Sequence, residues 1–588
     1  MDEMRDDRRD STGSFSFEEP ELGLQDSGVS RRGFLKVAGL AGAGIATGLD
    51  AKLSAAAPKS ELCFMSATEL APRIQRGEIS PVEVVEALLA RIAEYNDRVK
   101  AFIYVNRDGA LQEARQAEAE IQKGGYRGPL HGIPVAYKDI FDVRGLPTTA
   151  ASKVLAGNIA AQDSAVAARL RNAGAVCLGK LNLWEFASGS MEVFGDARNP
   201  WNTEMITGGS SAGSGAALAA NLVPLATGTD TGGSVRGPAH NCGVVGLRPS
   251  RGRVSRIGIV PLSWSLDEAG PMGRTVADVA VLFKAMAGPD SRDVIAGQPT
   301  ADFMLLPVDG LKGKRIGLPR PSYFTGVDPE VVQAIQNAVK QMEKLGASIQ
   351  ELDLSPSGYG AAASWTIAYS EAFAFHRTAF GKRWSDYTPA FRRRITSAAM
   401  LTAEECGLAQ RVRQVITAEF LRNLSQVDVI VTPTQSHPAS PTGKPSPLSD
   451  MLNFLRPVSL TGLPGVSIPC GFTQAGLPIG MQLIGRFWDE PTILQIGQAY
   501  EQSAGWYKRR APIAPGPLPP PFQKGTGQPQ TVTAGWVMDM AKIQGFDFIT
   551  PADAEAIATI TDPVRALLGK TRPWLETIAP TPWPALAG

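Results

Sequence analysis

The stretch ATGTDTGGSVRGPAH, at positions 226–240, places one serine, Ser234, directly behind a pair of glycines. A double glycine before a serine is by itself only a weak sign of a catalytic turn. No histidine with an acidic partner stands beside Ser234, so the usual histidine activation of a serine nucleophile is not encoded locally. If Ser234 is a nucleophile, its base must come from another part of the chain.

Outward from this stretch, short apolar runs alternate with longer amphipathic segments. The runs include GIPVAYKDIF (132–141), RIGLP (315–319) and DVIVTPT (428–434), and their β-branched residues are typical of strands. Helical patterns lie between them, as in PEVVQAIQNAVKQMEKLG (329–346). This alternation predicts an α/β fold in which helices cover both faces of a layered sheet.

The composition is that of a globular protein with a large core, since 44% of the 588 residues are hydrophobic and 20% are charged. The net charge of +1 indicates no nucleic-acid partner. Without any CxxC pair, the cysteines are expected to be buried free thiols, and neither a metal site nor a cofactor is predicted. The five cysteines are Cys63, Cys177, Cys242, Cys406 and Cys470.

The first 57 residues have the pattern of an export signal. Arg31 and Arg32 precede a weakly apolar run that is interrupted at Asp50 and ends in three alanines. The run is shorter than the ~20 apolar residues that a membrane-spanning helix needs. The pattern predicts a twin-arginine signal peptide over residues 1–57. The mature protein is therefore expected to be periplasmic or secreted, with no membrane contact after signal removal.

The other end of the chain begins with a proline-rich segment, APIAPGPLPPPF (511–522). A tail with helical patterns follows, and in TPADAEAIATITDPVRALLGK (550–570) either Thr550 or Asp553 is suited to cap a helix. Residues 511–588 are predicted to be a linker and a C-terminal extension whose role the sequence leaves open.

Reactive residues concentrate in three stretches. HGIPVAYKDIF (131–141) places Lys138 in an apolar strand, TGGSSAGSGAALAANL (207–222) opens a helix with glycine and serine, and the third surrounds Ser234. Each stretch has an ordinary explanation when taken alone. A strand lysine often snorkels to the surface, and Gly/Ser runs are often turns or helix caps.

One alternative assigns the nucleophile differently. GSSAG fits the G-x-S-x-G pattern of α/β-hydrolases, which would make Ser211 the nucleophile and leave His437 as the available loop histidine. That pattern requires a strand directly before the serine. The preceding DARNPWNTEMITG is loop-like, so the sequence disfavours this alternative.

Together the three stretches resemble the amidase signature family. The motifs that carry the resemblance include GIPVAYKD, TGGSSAGSGAALAA, ATGTDTGGSVRGPA, CGVVGLRPSRGRVSR, SLDEAGPMGRTVAD and TGLPGVSIPCGF, within about residues 65–510. The resemblance implies an amidase signature domain at 58–510, with a layered α/β/α fold around a mixed sheet. It also implies a catalytic group without histidine: Ser234 as nucleophile, Ser210 as proton relay behind a cis peptide bond, and Lys138 as base.

The implied mechanism requires a neutral Lys138. Lys138 accepts a proton only when it is neutral, so its ordinary pKa of about 10.4 must be lowered by burial. The apolar neighbours Ile133, Val135 and Ile140 are the kind of setting that lowers it.

The glycines after Asp230 are then expected to take part in the site. Their backbone N–H groups are expected to stabilise the oxyanion of the reaction, and larger side chains there would block the substrate. Asp230 and Arg236 are expected to brace the loop. The predicted oxyanion and substrate-binding residues are Thr231, Gly232 and Gly233.

The leading prediction is an exported amidohydrolase that cleaves an amide C–N bond through an acyl-Ser234 intermediate. One alternative is the A subunit of a glutamyl/aspartyl-tRNA amidotransferase, because GTDTGGSVR and CGVVGLRPSRGRVSR are very similar to that protein. Another is a non-catalytic binding protein on the same fold. The export signal favours the exported enzyme over the amidotransferase component.

The expected partner of the leading prediction is a small-molecule amide, ester or carbamate. The pocket is expected to lie between the loop 185–194 and an aromatic-rich segment further along the chain. Such a lining favours an apolar or aromatic acyl group. A homodimer is an option that the sequence leaves open. The aromatic residues concerned are Trp365, Tyr369, Phe373 and Phe375.

Overall fold

The computed structural model describes residues 59–297, 310–355, 357–443, 454–516 and 550–557, together with the single residues 305, 534 and 538. Its contacts divide the chain into residues 1–56 and 57–588, and every described residue belongs to the second unit.

Eleven strands join in one sheet within these residues. They are β1 (Phe102–Val105), β2 (Pro134–Lys138), β3 (Val176–Leu181), β4 (Leu225–Asp230), β5 (Val245–Arg248), β6 (Glu268–Gly273), β7 (Arg315–Pro319), β8 (Ser348–Leu352), β9 (Val429–Pro433), β10 (Gly465–Phe472) and β11 (Pro478–Ile484).

The sheet has the order β1-β3-β2-β4-β6-β5-β10-β11-β9-β7-β8. β2 pairs in parallel with β3 and β4, whereas β4 pairs antiparallel with β6. The predicted mixed sheet is therefore confirmed. Because β2 and β4 are parallel neighbours, their last residues, Lys138 and Asp230, lie at the same edge of the sheet.

Helices cover this sheet in the layered arrangement that the sequence predicts. They are α1 (Lys59–Leu62), α2 (Ala67–Gln75), α3 (Pro81–Val99), α4 (Arg107–Gln122), α5 (Ala165–Asn172), α6 (Ala212–Ala219), α7 (Arg236–Cys242), α8 (Val276–Met286), α9 (Pro329–Lys344), α10 (Ser357–Arg383), α11 (Pro389–Ala399), α12 (Ala403–Leu424), α13 (Leu455–Thr461) and α14 (Glu490–Ala504), followed by α15 (551–557). The predicted α/β class is confirmed.

Small residues bring α6 close to the sheet. All of its residues are buried, and a Cβ at Gly213 would lie 2.5 Å from backbone atoms of both Ala101 and Asn182. Real Cβ atoms do not approach so closely, so the position requires glycine. The close packing holds the amino end of α6, just after Ser210 and Ser211, against the start of β1 and the end of β3.

Two helix caps match the sequence. At the start of α3, Ser80 and Glu83 form a reciprocal capping box ahead of Pro81. At the start of α15, the Asp553 amide donates to Thr550 Oγ1, and the Thr550 amide and hydroxyl donate to the Asp553 carboxylate. Thr550 is therefore the cap of this helix.

The cysteines are free thiols, as predicted. Four of them are buried and Cys406 is partly buried. Burial raises the pKa of Cys177 to about 12. Such thiols are inert in acid–base chemistry near neutral pH.

The predicted terminal segments are described only in part. The arginine pair and the apolar run of the predicted signal lie outside the described residues, and so does most of 511–588. In the described part of the tail, Ala514 accepts a hydrogen bond from Arg98 at 2.9 Å, and Ala554 and Ile557 have no exposed surface. Among the described helices, none has the length and apolar character needed to cross a membrane. The division at residues 57 and 510 stays a prediction.

Candidate active site

Lys138 is the last residue of β2, and its side chain is completely buried. Its Nζ atom lies 2.7 Å from Ser210 Oγ and 2.8 Å from Thr229 Oγ1. Burial lowers the pKa of Lys138 from 10.5 to about 7, against the opposing charges of Asp267 and Asp230. A large fraction of this lysine is thus neutral near pH 7, and it can accept a proton.

Ser210 lies in the loop before α6 and is completely buried. The peptide bond between Gly209 and Ser210 is cis. The Ser210 carbonyl accepts a hydrogen bond from the Trp184 amide at 3.2 Å. The structure therefore brings together Ser210 and Lys138, two of the predicted site residues, from positions 72 residues apart in the sequence.

Ser234 lies in the turn that follows β4, next to the same loop. Its carbonyl accepts a hydrogen bond from the Ser211 amide at 3.2 Å. Its hydroxyl forms no hydrogen bond with any other described residue, so the predicted relay contact between Ser210 and Ser234 is not formed in this arrangement. The Ser234 side chain instead lines a cavity.

The backbone of this turn is ordered by Asp230. The Gly233 amide donates to Asp230 Oδ1 at 2.8 Å. In the described part of the chain, the amides of Thr231, Gly232 and Ser234 have no acceptor. Of the three predicted oxyanion residues, Gly233 thus has its N–H directed to a carboxylate, whereas Thr231 and Gly232 have theirs unused.

Gly233 is sterically required, and a side chain at Gly232 would displace the end of the Arg456 side chain. A Cβ at Gly232 would lie 2.9 Å from Arg456 Nη1, and one at Gly233 would lie 2.6 Å from Leu455 side-chain atoms. Gly233 also has a φ of +116°, which favours glycine. A side chain at either position would therefore come too close to the first residues of α13. The sequence did not reveal this constraint.

Asp230 is the centre of a buried ionic cluster. Arg236 donates to its two carboxylate oxygens at 2.9 Å each, and Arg248 lies 3.4 Å from Oδ1. Burial alone would raise the pKa of Asp230, but the two guanidinium groups and the Gly233 amide outweigh burial and hold it well below its usual range. Arg236 also donates to Gln482 and Ser459, which joins the turn to β11 and α13.

The cavity at Ser234 is narrow and has cationic walls. Its volume is ≈ 20 Å³, room for about one water molecule, so a substrate must open it further. A larger cavity of ≈ 930 Å³ lies beside β8 and contains none of the predicted site residues. The chemistry of its lining, rather than its size, singles out the narrow one. Its walls are Trp184, Ala187, Thr231, Gly232, Leu262, Ala368, Tyr369, Arg394 and Arg456.

Arg394 and Arg456 are the residues that the sequence did not single out. Arg394 donates to Ser188 and lies 5.5 Å from the centre of the Trp184 ring. Arg456 is 7% exposed, and its Nε atom has no hydrogen-bond partner. The available signal was an arginine within the otherwise apolar NFLRPV run.

The predicted aromatic lining is present only in part. Tyr369 lines the cavity, and its hydroxyl lies 2.7 Å from Ser188 Oγ. Burial alone would raise the pKa of Tyr369, but Arg394 and Arg456 lower it. Trp365 packs behind Tyr369, with ring centres 4.6 Å apart, while Phe375 lines a different cavity. The wall nearest Ser234 is therefore polar and cationic.

Ser211 does not have the surroundings of a nucleophile. It is completely buried, and its hydroxyl bonds the backbone of Thr229, at 3.3 Å from the amide and 3.4 Å from the carbonyl. His437 Nδ1 lies 2.9 Å from Ser436 Oγ instead. The sheet and its connections also differ from the strand–turn–helix that G-x-S-x-G requires, so the α/β-hydrolase alternative is wrong.

A layered α/β fold with a neutralised lysine bonded to serine at one sheet edge defines a class, the hydrolases that act on amide C–N bonds. The Amidase family pattern matches residues 83–494. The chain belongs to this family, as its resemblance to the amidase signature predicted.

Individual relatives are similar over nearly their whole length. The A subunit of glutamyl-tRNA(Gln) amidotransferase from Roseiflexus sp. (strain RS-1) is 41% identical over 469 residues, 74% of this chain and 96% of that protein. The solved structure of the corresponding protein from Thermotoga maritima is 34% identical with a TM-score of 0.62, over 76% and 94% of the two chains. The peptide amidase from Stenotrophomonas maltophilia is 32% identical with a TM-score of 0.67, over 76% and 98%.

These relatives overturn the leading functional prediction. An exported amidohydrolase is wrong, because curated relatives at about 40% identity are subunits of an amidotransferase that acts on glutamyl-tRNA(Gln). The periplasmic or secreted location is wrong for the same reason, since charged tRNA is made and used inside the cell. A pair of arginines before a Gly/Ala-rich run is a short pattern, and it carries less information than similarity over hundreds of residues.

The predicted partners are corrected as well. A small-molecule substrate with an apolar or aromatic acyl group and no nucleic acid conflicts with relatives named for a tRNA-linked substrate. The prediction relied on a net charge of +1. Net charge averages over the whole chain, so a near-neutral value does not exclude a nucleic-acid partner.

Proposed function

We propose that this chain is the A subunit of a glutamyl-tRNA(Gln) amidotransferase. In such an enzyme an amide nitrogen passes from a donor to the glutamyl group. The part assigned to this chain is to release the nitrogen from the donor amide, and the acceptor tRNA and further subunits are its partners. Similarity to curated A subunits over three quarters of the chain supports the proposal.

The observation that carries the proposal is the pair of guanidinium groups at Ser234. Arg394 and Arg456 both line the cavity. Neither has a carboxylate within ion-pair distance among the described residues. Arg456 is buried and bonds the Tyr369 hydroxyl, and Arg394 is half-buried. No carboxylate in the described part of the chain pairs with either charge, so an anion is expected to arrive with the ligand. A donor amide that also bears a free carboxylate fits this cavity better than an apolar amide.

In the proposed reaction, Ser234 Oγ attacks the amide carbonyl while its proton passes to Ser210 Oγ. The Ser210 hydroxyl proton passes in turn to neutral Lys138. For this step the Ser234 hydroxyl must rotate toward Ser210. The tetrahedral intermediate collapses when the C–N bond breaks, and the nitrogen leaves as ammonia after it takes the proton back from the relay. Water then hydrolyses the acyl-Ser234 ester by the same proton path and releases a carboxylic acid.

The oxyanion of the intermediate needs hydrogen-bond donors. The unused amides of Thr231, Gly232 and Ser234 are the candidates, and each well-placed donor contributes about 3–4 kcal/mol to transition-state stabilisation. The Gly233 amide holds the turn through Asp230 instead. In this proposal the Thr231–Gly232 region binds the oxygen, and Gly233 gives the turn its shape.

The test is reconstitution of the purified chain with the remaining amidotransferase subunits of its own organism. We expect ammonia release from a carboxylate-bearing donor amide, together with amidated glutamyl-tRNA, both measured by mass spectrometry. Ser234→Ala should abolish both products. Arg456→Met should lower kcat/KM for the charged donor about 100-fold, because a buried charge-assisted contact is lost.

The methyl ester of the same donor is the matched control. It lacks the negative charge, so Arg456→Met should change its hydrolysis by less than about threefold. Equal losses for the charged and the esterified donor would contradict the role given to the two arginines. Donor hydrolysis without any amidated tRNA in the complete assembly would contradict the assignment to the amidotransferase.

A further inference from the structure

Asp267, the residue just before β6, joins two walls of the Ser234 cavity. Its Oδ1 accepts a hydrogen bond from the Thr231 hydroxyl at 2.5 Å. Its Oδ2 accepts from the Leu262 amide at 2.8 Å and from the Ser263 amide at 2.9 Å. Thr231 and Leu262 both line the cavity. One carboxylate therefore links the start of the nucleophile turn to Leu262, another wall residue of the cavity.

The same carboxylate acts electrostatically on the lysine. Asp267 and Asp230 are the two acids whose charges favour the ammonium form of Lys138, and Asp267 has the larger effect. The Asp230 charge is balanced by Arg236 and Arg248 at 2.9 and 3.4 Å. In the described part of the chain, Asp267 has no lysine or arginine within ion-pair distance. Its field at Lys138 is therefore the less compensated of the two.

The other charged groups that the structure places around Asp267 do not form an ion pair with it. Burial raises the pKa of Asp267, while the hydrogen bonds it accepts and the charge of Arg256 oppose this rise. Arg256 itself is paired with Asp293 at 3.4 Å. Glu371 accepts from the Ser263 hydroxyl and the Ser265 amide on the far side of the 262–265 turn. Burial raises the pKa of the neighbouring Glu268 to about 8, so most of that carboxyl is uncharged at pH 7.

We propose that Asp267 is a positioning residue, which holds the Thr231 end of the nucleophile turn to the Leu262–Ser263 segment and places a negative charge that acts on Lys138. The proposal rests on the proposed function, in which Lys138 must be neutral. It assigns two opposed effects to one carboxylate. The hydrogen bonds order the turn, and the negative charge keeps Lys138 from losing its proton at too low a pH.

The two effects can be distinguished in the pH dependence of activity, because one changes the midpoint and the other changes the plateau. Asp267→Asn removes the negative charge. It also replaces one carboxylate oxygen with an N–H₂ group, which cannot accept the hydrogen bonds that this oxygen accepts in the wild type. Loss of the negative charge destabilises the ammonium form, so the pKa of Lys138 falls and the rising limb of activity moves to lower pH by about one unit. Looser positioning lowers the plateau about tenfold. A merely structural residue would lower the plateau and leave the midpoint unchanged.

The measurement is the rate of Ser234 labelling by a fluorophosphonate between pH 5 and pH 10, with the full chain and no natural substrate. Glu268→Gln is the matched control, because it alters an adjacent buried carboxyl that does not contact Thr231. We expect its midpoint to stay at the wild-type value. Thr231→Val removes the hydroxyl link and keeps the charge, so the plateau should fall about tenfold at an unchanged midpoint.

The outcomes distinguish this inference from the proposed function. Labelling with an unchanged midpoint in Asp267→Asn would overturn the electrostatic role, and an unchanged plateau in Thr231→Val would overturn the positioning role. If Asp267→Asn does not fold, Asp267→Ser replaces it, because it also removes the charge, and its midpoint should likewise fall below the wild-type value. Wild-type protein that is not labelled at Ser234 at all would overturn the proposed chemistry and this inference with it.

Discussion

Lys138 and Lys180 are two completely buried lysines on adjacent strands, and their partners set them apart. Lys180 forms an ion pair with Asp139 at 2.7 Å. Lys138 contacts the hydroxyls of Ser210 and Thr229, and no carboxylate of the described residues lies within ion-pair distance of it. A buried ammonium without a counter-charge loses its proton easily. The same residue type thus serves as a structural cation on β3 and as a candidate base on β2.

The lysine chemistry predicts a pH dependence. With a pKa of about 7, Lys138 becomes neutral as the pH rises through 7, so Ser234 labelling should increase there and level off in mildly alkaline solution. Lys138→Arg should abolish labelling at every pH, because guanidinium stays charged. Lys180→Arg is the control and should keep the rate within about tenfold, since it preserves the ion pair. Labelling by Lys138→Arg at the wild-type rate would contradict the lysine base.

At the scale of elements, the carboxyl ends of β2 and β4 hold the site, and the Asp230–Arg236 pair ties that edge to α13 and β11. Arg236 is completely buried. The expectation that both residues brace the loop agrees with these contacts, and neither side chain lines the cavity. The turn between β4 and α7 is therefore held by buried charges on one side and lines the narrow Ser234 cavity on the other.

Removal of one member of this pair should be costly. Arg236→Met leaves the Asp230 carboxylate buried with less compensation, and we expect about 3–5 kcal/mol of destabilisation, measured as a lower midpoint of thermal or denaturant unfolding. Arg76→Met is the matched control, because Arg76 pairs with Glu78 on the exposed surface, and its unfolding midpoint should stay close to that of the wild type. Similar losses in both variants would show that the buried pair has no special role.

At the scale of the whole molecule, the relatives align over nearly their full length with about three quarters of this chain. The site residues and the sheet all lie within that part. A chain shortened to residues 58–516 should therefore retain Ser234 labelling within about threefold of the full chain. Because Ala554 and Ile557 are buried, we expect a lower unfolding midpoint. Loss of labelling in a folded, shortened chain would assign the tail a part in the site.

The α/β class of the fold could be predicted from the sequence, because strand and helix periodicities are local properties. The candidate site residues Lys138, Ser210 and Ser234 could be predicted for a related reason, since each lies in a short contiguous motif. The functional context was not readable in the same way. A short signal-like pattern and a near-neutral net charge pointed to an exported amidohydrolase, and similarity over three quarters of the chain corrected that prediction.

Only the tertiary structure decided which side chains surround Ser234. Trp184, Arg394 and Arg456 lie in three separate segments, and no local pattern indicates that packing brings them to one cavity. The use of the Gly233 amide by Asp230 was likewise decided by the geometry of the folded turn. The sequence by itself determined the reactive groups, because chemistry depends on residue type. The surroundings of these groups were decided by the fold, because burial, charge compensation and contact depend on which distant segments meet.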